Sequence, residues 1–206
     1  MGKVQTGRVI EFYSNSCLVD INGQKLPCSI LGKQDIVVGD NVFLEYQNDN
    51  DLNSIIITSR AKRLSKLNKK GLRNSKAIAA NISHVGILLV QNPKTSSGFI
   101  DKWIVSALAS NIKPFIINNK IDIDIDIEYA QKLKIYKDLD IKVFDVSAKR
   151  GDGIDSLQKY LENKCTIFVG NSGAGKSTLT SKLTGKDIKT KSLSNNQGGH
   201  TTSISS

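Results

Sequence analysis

The chain has 206 residues, 39% of them hydrophobic and 23% charged, with a formal net charge of +10. That length can bury the core of one large domain or two small ones, and the composition excludes disordered and fibrous classes. No apolar run approaches the roughly 18 residues of a membrane span, and the first seven residues lack the hydrophobic stretch of a secretory signal.

The charge is local. Residues 52–100 contain no Asp or Glu but nine basic side chains: Arg60, Lys62, Arg63, Lys66, Lys69, Lys70, Arg73, Lys76 and Lys94. The other 157 residues carry 20 basic and 19 acidic groups and are close to neutral. Such a run reads either as a solvated linker or as a contact to a phosphate backbone, where each neutralised phosphate releases counterions.

In chain order, residues 7–13, 16–21, 25–29, 41–46 and 54–59 read as short strands, with an Asn22-Gly23 hairpin turn and a Val38-Gly39-Asp40 turn. Five strands in sixty residues predict a small β-barrel over 1–60. An OB-type barrel is the expectation, although periodicity alone does not separate it from an SH3-like one. Residues 61–76, rich in Lys, Asn, Ser and Gly, read as a basic linker.

From 77 to 206 the pattern becomes α/β, with residues 78–82 opening the first strand. Strands are expected at 84–90, 113–118, 141–146 and 165–169, and helices at 100–110, 128–139, 154–162 and 177–183. Alternating strands and helices imply a parallel sheet with flanking helices. Residues 121–127 (Ile-Asp-Ile-Asp-Ile-Asp-Ile) alternate like a half-buried strand, but their place between a strand and a helix argues for a loop and a helix start. Cys17, Cys28 and Cys165 form no Cys-x-x-Cys pair, which supports neither zinc nor a disulfide framework and fits a reducing compartment.

Gly170-Asn171-Ser172-Gly173-Ala174-Gly175-Lys176-Ser177 matches G-x-x-x-x-G-K-[ST] between a predicted strand and a predicted helix. Such a loop turns its N–H groups toward phosphates at a helix N-terminus. Lys176 would reach the β- and γ-phosphates, and the Ser177 hydroxyl would ligate Mg²⁺. Asn119-Lys120-Ile121-Asp122 is N-K-x-D after a strand. Its carboxylate can accept from guanine N1–H and the exocyclic amine, which adenine cannot offer. Ser147-Ala148-Lys149, also after a strand, matches the S-A-K element that contacts guanine O6. Together the three motifs predict GTP or GDP as ligand.

The motif order is unusual, because N-K-x-D and S-A-K precede the P-loop. This is the order of circularly permuted GTPases. With the N-terminal barrel and Gly198-Gly199-His200-Thr201-Thr202-Ser203, the chain resembles the small ribosomal subunit-dependent GTPase A family. The resemblance implies an OB barrel on ribosomal RNA, GTP hydrolysis stimulated by the small ribosomal subunit, and a cytoplasmic, monomeric factor of late subunit maturation with no membrane partner. It also implies that residues 198–203 form the first switch, with Thr202 preferred over Thr201 as the Mg²⁺ ligand and His200 helping to activate water.

Two family features are not found in the 206 residues. The only D-x-x-G, Asp20-Ile21-Asn22-Gly23, falls on the N-terminal hairpin and reads as a turn, and no zinc ligands are present although zinc is expected for the family. The expectation is therefore a chain truncated before the D-x-x-G element. Residues 165–169 would then be an exposed hydrophobic edge strand. A binding-only fragment without turnover is the alternative function.

Overall fold

The computed structural model describes residues 5–13, 16–47, 55–70, 75–185 and 203–205. The chain divides into two compact units, Met1–Ile82 and Ser83–Ser206.

In the first unit, β1 (Gln5–Phe12), β2 (Ser16–Ile21), β3 (Gln24–Ile30), β4 (Asn41–Tyr46) and β5 (Ile55–Arg60) close a barrel in the order β1-β2-β3-β5-β4. Alternation packs Val9, Cys17, Val19, Ile21, Cys28, Val42, Leu44, Ile55 and Ile57 into one core. The β2–β3 turn places Asn22 at φ 53° and Gly23 at φ 88°, the pair of left-handed residues that a type I′ hairpin needs. Asp20 Oδ1 accepts from the Gly23 N–H at 2.8 Å, so the N-terminal D-x-x-G is a hairpin turn.

The stretch read as a linker contains a second hairpin. β6 (Lys66–Lys70) pairs antiparallel with β7 (Ser75–Ala80). Residues 78–82, expected to open the first strand of the α/β sheet, instead belong to β7 and to the unit ending at Ile82. Leu67, Ala77, Ala79 and Ala80 are buried there, and this small apolar set outweighs the turn-like composition around it.

Arg63 is likewise not a free surface charge. Its guanidinium donates to both carboxylate oxygens of the fully buried Asp40, at 2.7 Å each, and to Asp35 Oδ2 at 2.9 Å. Asp40 Oδ2 also accepts from the Val37 N–H at 2.8 Å. The two carboxylates push the guanidinium pKa above its ordinary value, Asp40 most strongly.

In the second unit the elements are β8 (His84–Leu89), α1 (Ser97–Leu108), β9 (Lys113–Asn119), α2 (Ile127–Asp138), β10 (Val143–Val146), α3 (Ile154–Leu161), β11 (Thr166–Val169), α4 (Lys176–Thr184) and β12 (Ser203–Ser205). The sheet order is β10-β9-β8-β11-β12, with the first four strands parallel and β12 antiparallel to β11. Residues 121–127 form no strand, and Ile121, Ile123, Ile125 and Ile127 are exposed.

The expectation of an open edge at 165–169 is corrected. β12 pairs along Thr166–Phe168 and supplies partners to backbone groups that an edge strand leaves unpaired. β11 is buried along its whole length. Among the described residues, no helix is long and apolar enough to cross a membrane.

Candidate nucleotide site

The three motifs emerge at one end of the sheet: N-K-x-D from β9, S-A-K from adjacent β10, and the glycine loop from β11, which β8 separates from β9. Ligands gather at the carboxyl ends of parallel strands because loops and helix N-termini converge there.

Buried β11 delivers the chain into Gly170, which packs so closely on Leu88 that an added Cβ would lie 3.0 Å from the Leu88 Cβ. Gly175 caps α4 at φ 88°, and a Cβ there would collide with the Asn119 side-chain amide. Both the left-handed backbone and the close approach therefore require glycine. Lys176 is only 5% exposed. Its ammonium donates to the Gly170 carbonyl at 2.7 Å and the Asn171 carbonyl at 2.9 Å. Burial lowers its pKa from the ordinary lysine value. Ala174 is buried, Ser172 and Gly173 are exposed, and Ser177 is half-buried in the first turn of α4.

Asn119, itself buried, joins the motifs. Its Nδ2 donates to the Ala174 carbonyl at 2.9 Å, and its Oδ1 accepts from the Ala148 N–H at 3.0 Å. Lys120 adopts φ 69°, an uncommon left-handed state for a side-chain-bearing residue, and turns the chain out of β9. Its ammonium donates to the Asn92 carbonyl at 2.7 Å. Ile121 N–H reaches the Val146 carbonyl at 3.3 Å.

Ser147, fully buried, donates through Oγ to Asp122 Oδ1 at 2.6 Å and accepts from the Arg150 N–H at 3.1 Å. That hydrogen bond is the main cause holding the Asp122 carboxyl below its usual range. Desolvation opposes it, while the residue's own backbone and the charges of Arg150 and Lys149 assist. Lys149 is exposed.

These residues fit a nucleoside phosphate with Mg²⁺. The glycine loop leads into a helix N-terminus, a buried ammonium lies at the loop, and a hydroxyl follows it on α4. A carboxylate whose ionised form is favoured by the Ser147 hydrogen bond stands on the N-K-x-D loop as an acceptor pair. His200, Thr201 and Thr202 lie outside the described residues, so the first-switch assignments rest on the sequence. Among the described residues, no three His, Cys, Asp or Glu side chains gather as metal ligands.

Sequence reasoning missed the β8–α1 turn, which supplies the Asn92 carbonyl to Lys120 and sets Pro93 3.3 Å from the position of a Cβ on Gly173. It also missed Asn118, buried beside Asn119. A backbone carbonyl leaves no sequence signal, and Asn118 follows an apolar run and directly precedes the motif asparagine.

The sheet and motif order define a circularly permuted P-loop GTPase fold. The sequence model of the RsgA GTPase family matches residues 57–206. The chain belongs to the RsgA GTPase family.

Relatives named "Small ribosomal subunit biogenesis GTPase RsgA" include one from Ectopseudomonas mendocina. It is 32% identical over 215 residues, spanning 98% of this chain and 62% of the relative. Another, from Flavobacterium psychrophilum, is 32% identical over 203 residues, spanning 89% of this chain and 62% of the relative. The chain thus spans about three fifths of the length of these curated relatives. The crystal structure of YjeQ from Thermotoga maritima superposes with a TM-score of 0.68 at 28% identity, over 91% of this chain and 68% of that one. YloQ, described as a circularly permuted GTPase, shares the fold with a TM-score of 0.62 at 20% identity, over 87% of this chain and 64% of that one.

Proposed function

We propose that this chain binds GTP and GDP and hydrolyses GTP to GDP and phosphate as a biogenesis factor of the small ribosomal subunit. The observation that carries the reading is the double hydrogen bond of Asn119 to Ala174 and Ala148, which joins a phosphate loop and two base-reading loops in one site.

Lys176 binds the β- and γ-phosphates in this reading, exchanging its two carbonyl acceptors for anionic oxygens. Asp122 reads guanine through N1–H and the exocyclic amine, and the Ala148 segment faces O6. Ser177 and Thr202 would hold Mg²⁺, which would supply charge neutralisation on the phosphates. Water attacks the γ-phosphorus and the bond to the β–γ bridging oxygen breaks, with His200 assisting the water. Positioning and electrostatics account for catalysis of this kind.

The partner in this reading is the small ribosomal subunit, in whose biogenesis the names of the relatives place those proteins. The barrel (1–60) and basic stretch (61–76) contact its rRNA late in maturation, in the cytoplasm, and the factor acts as a monomer. Arg63 is excluded from that contact by its pairing with Asp40 and Asp35.

Phosphate release from GTP and ATP, with and without purified small subunits, tests the reading. Release from GTP alone, accelerated by subunits and abolished by Lys176→Ala, is expected. Equal release from ATP, or none in any condition, contradicts it.

A further inference from the structure

The two consecutive asparagines at the end of β9 have separate partners. Asn119 reaches the glycine loop and the S-A-K segment, whereas Asn118 reaches β10 and α2. Asn118 is 4% exposed, and its Nδ2 donates to Asp145 Oδ1 at 2.7 Å, on the residue directly opposite it in the β9–β10 register. A carboxylate only accepts, so the amide nitrogen must face Asp145 and the oxygen is left for another donor. That donor is the hydroxyl of Tyr129, 6% exposed, at 2.6 Å.

Tyr129 lies in the first turn of α2, and its N–H is capped by Asp126 Oδ1 at 2.8 Å. The segment from Asn119 to Glu128, which carries Asp122, is therefore fastened to Asn118 at both ends, covalently at its start and through Tyr129 at its return. The Asp126 N–H adds a bond to Gln91 Oε1 at 3.0 Å. Beyond Asp145 the chain continues through Val146 to Ser147, the hydroxyl that holds Asp122. The Asn118–Asp145 bond thus adds a side-chain tie, within the backbone register, between the two strand ends from which Asp122 and Ser147 are presented.

We infer that Asn118, with Tyr129 and Asp145, is a positioning cluster that closes the N-K-x-D loop and holds Asp122 where it discriminates the guanine exocyclic amine. The cluster does not touch the nucleotide; it acts through Asp122, and the inference rests on the guanine reading above. Three features support it: the hydrogen bonds form a continuous chain, two of the three side chains are buried, and the loop has a hydrogen-bonded base at each end. Buried polar side chains of this kind fix geometry because every alternative arrangement leaves a donor or acceptor unpaired.

Inosine diphosphate lacks the exocyclic amine, so the ratio of GDP to IDP affinity reads the Asp122 interaction. Overall stability does not set that ratio. Affinities are measured on the full chain with Mg²⁺ for wild type, Tyr129→Phe and Asn118→Leu. Tyr136→Phe serves as a control, since it removes another buried hydroxyl of α2, one bonded at 3.0 Å to Asp101 on α1.

The GDP preference is expected to fall at least threefold in Tyr129→Phe and about tenfold in Asn118→Leu, and to persist in Tyr136→Phe. If Asn118→Leu does not fold, Tyr129→Phe decides, since it keeps the ring and loses only the hydroxyl. A discriminating wild type with unchanged ratios in the variants overturns this inference alone. A wild type that binds GDP and IDP alike overturns the guanine reading as well.

Discussion

Asn119 Nδ2 lies 2.9 Å from the Ala174 carbonyl, so the end of β9 is bonded directly to the loop that precedes α4. The motif asparagine is therefore also a structural tie, with its Oδ1 on the Ala148 N–H. Truncation to Asn119→Ala leaves a buried carbonyl and a buried N–H without partners, each costing about 1–3 kcal/mol. GDP affinity is expected to fall at least tenfold and the thermal midpoint to drop, by titration and calorimetry. Asn119→Asp keeps the acceptor for Ala148 but sets a carboxylate oxygen against the Ala174 carbonyl and buries a charge, so its midpoint should fall at least as far as that of the alanine variant.

Ser147 is expected to set the acid limit of nucleotide binding. Its hydroxyl favours the ionised Asp122, so the folded-state pKa lies below the unfolded one. The sign follows from linkage: this stabilisation is fully present above the unfolded carboxylate pKa and is lost as pH falls through the lower, folded value. In Ser147→Ala the carboxyl protonates at higher pH. The acid limb of GDP binding should move upward in that variant, and an unmoved limb would show that Ser147 does not hold Asp122.

Asp122→Asn exchanges an acceptor pair for one acceptor and one donor. With the acceptor on N1–H, the donor meets the guanine exocyclic amine in a donor–donor clash, but it pairs with the oxygen that xanthine carries at that position. GDP affinity should fall at least tenfold while affinity for xanthosine diphosphate rises. Retained GDP preference in the variant would count against Asp122 as the base reader.

Arg63 and its neighbours separate stability from RNA binding. Arg63→Ala leaves fully buried Asp40 with an uncompensated charge, a loss of about 3–5 kcal/mol where one partner of a buried pair is removed. Denaturant unfolding of the barrel unit should show it. Lys62 and Lys66 are both exposed, and neither has an ion pair among the described residues. The double substitution Lys62→Gln/Lys66→Gln should leave stability nearly unchanged and reduce the salt slope of rRNA binding by about one for each phosphate that is no longer neutralised. An unchanged slope would place the RNA-binding surface elsewhere.

What the sequence made legible was what local spacing encodes. The glycine loop could be read because its glycines answer to backbone demands, such as φ 88° and the crowding by Asn119 at Gly175. The barrel could be read because its strands alternate over a single buried core. The β6–β7 hairpin was hidden, because lysines, serines and asparagines dominate a strand pair whose buried side chains are mainly alanines. The pairing of Arg63 with Asp40 spans 23 residues, so a charge count sees two unrelated ions. Asn118 escaped for a similar reason, since its partners arrive from α2 and β10. β12 is three residues long, too short for any period to show.

The central claim is that Asp122, Ser147 and the glycine loop form one guanine nucleotide site. Titration of the full chain with GDP and with ADP, in the presence of Mg²⁺, tests it most directly. The account predicts GDP binding at least a hundredfold tighter than ADP, a preference that Asp122→Asn abolishes, and loss of both ligands in Lys176→Ala. Equal affinity for GDP and ADP, or a GDP preference that survives Asp122→Asn, would contradict it.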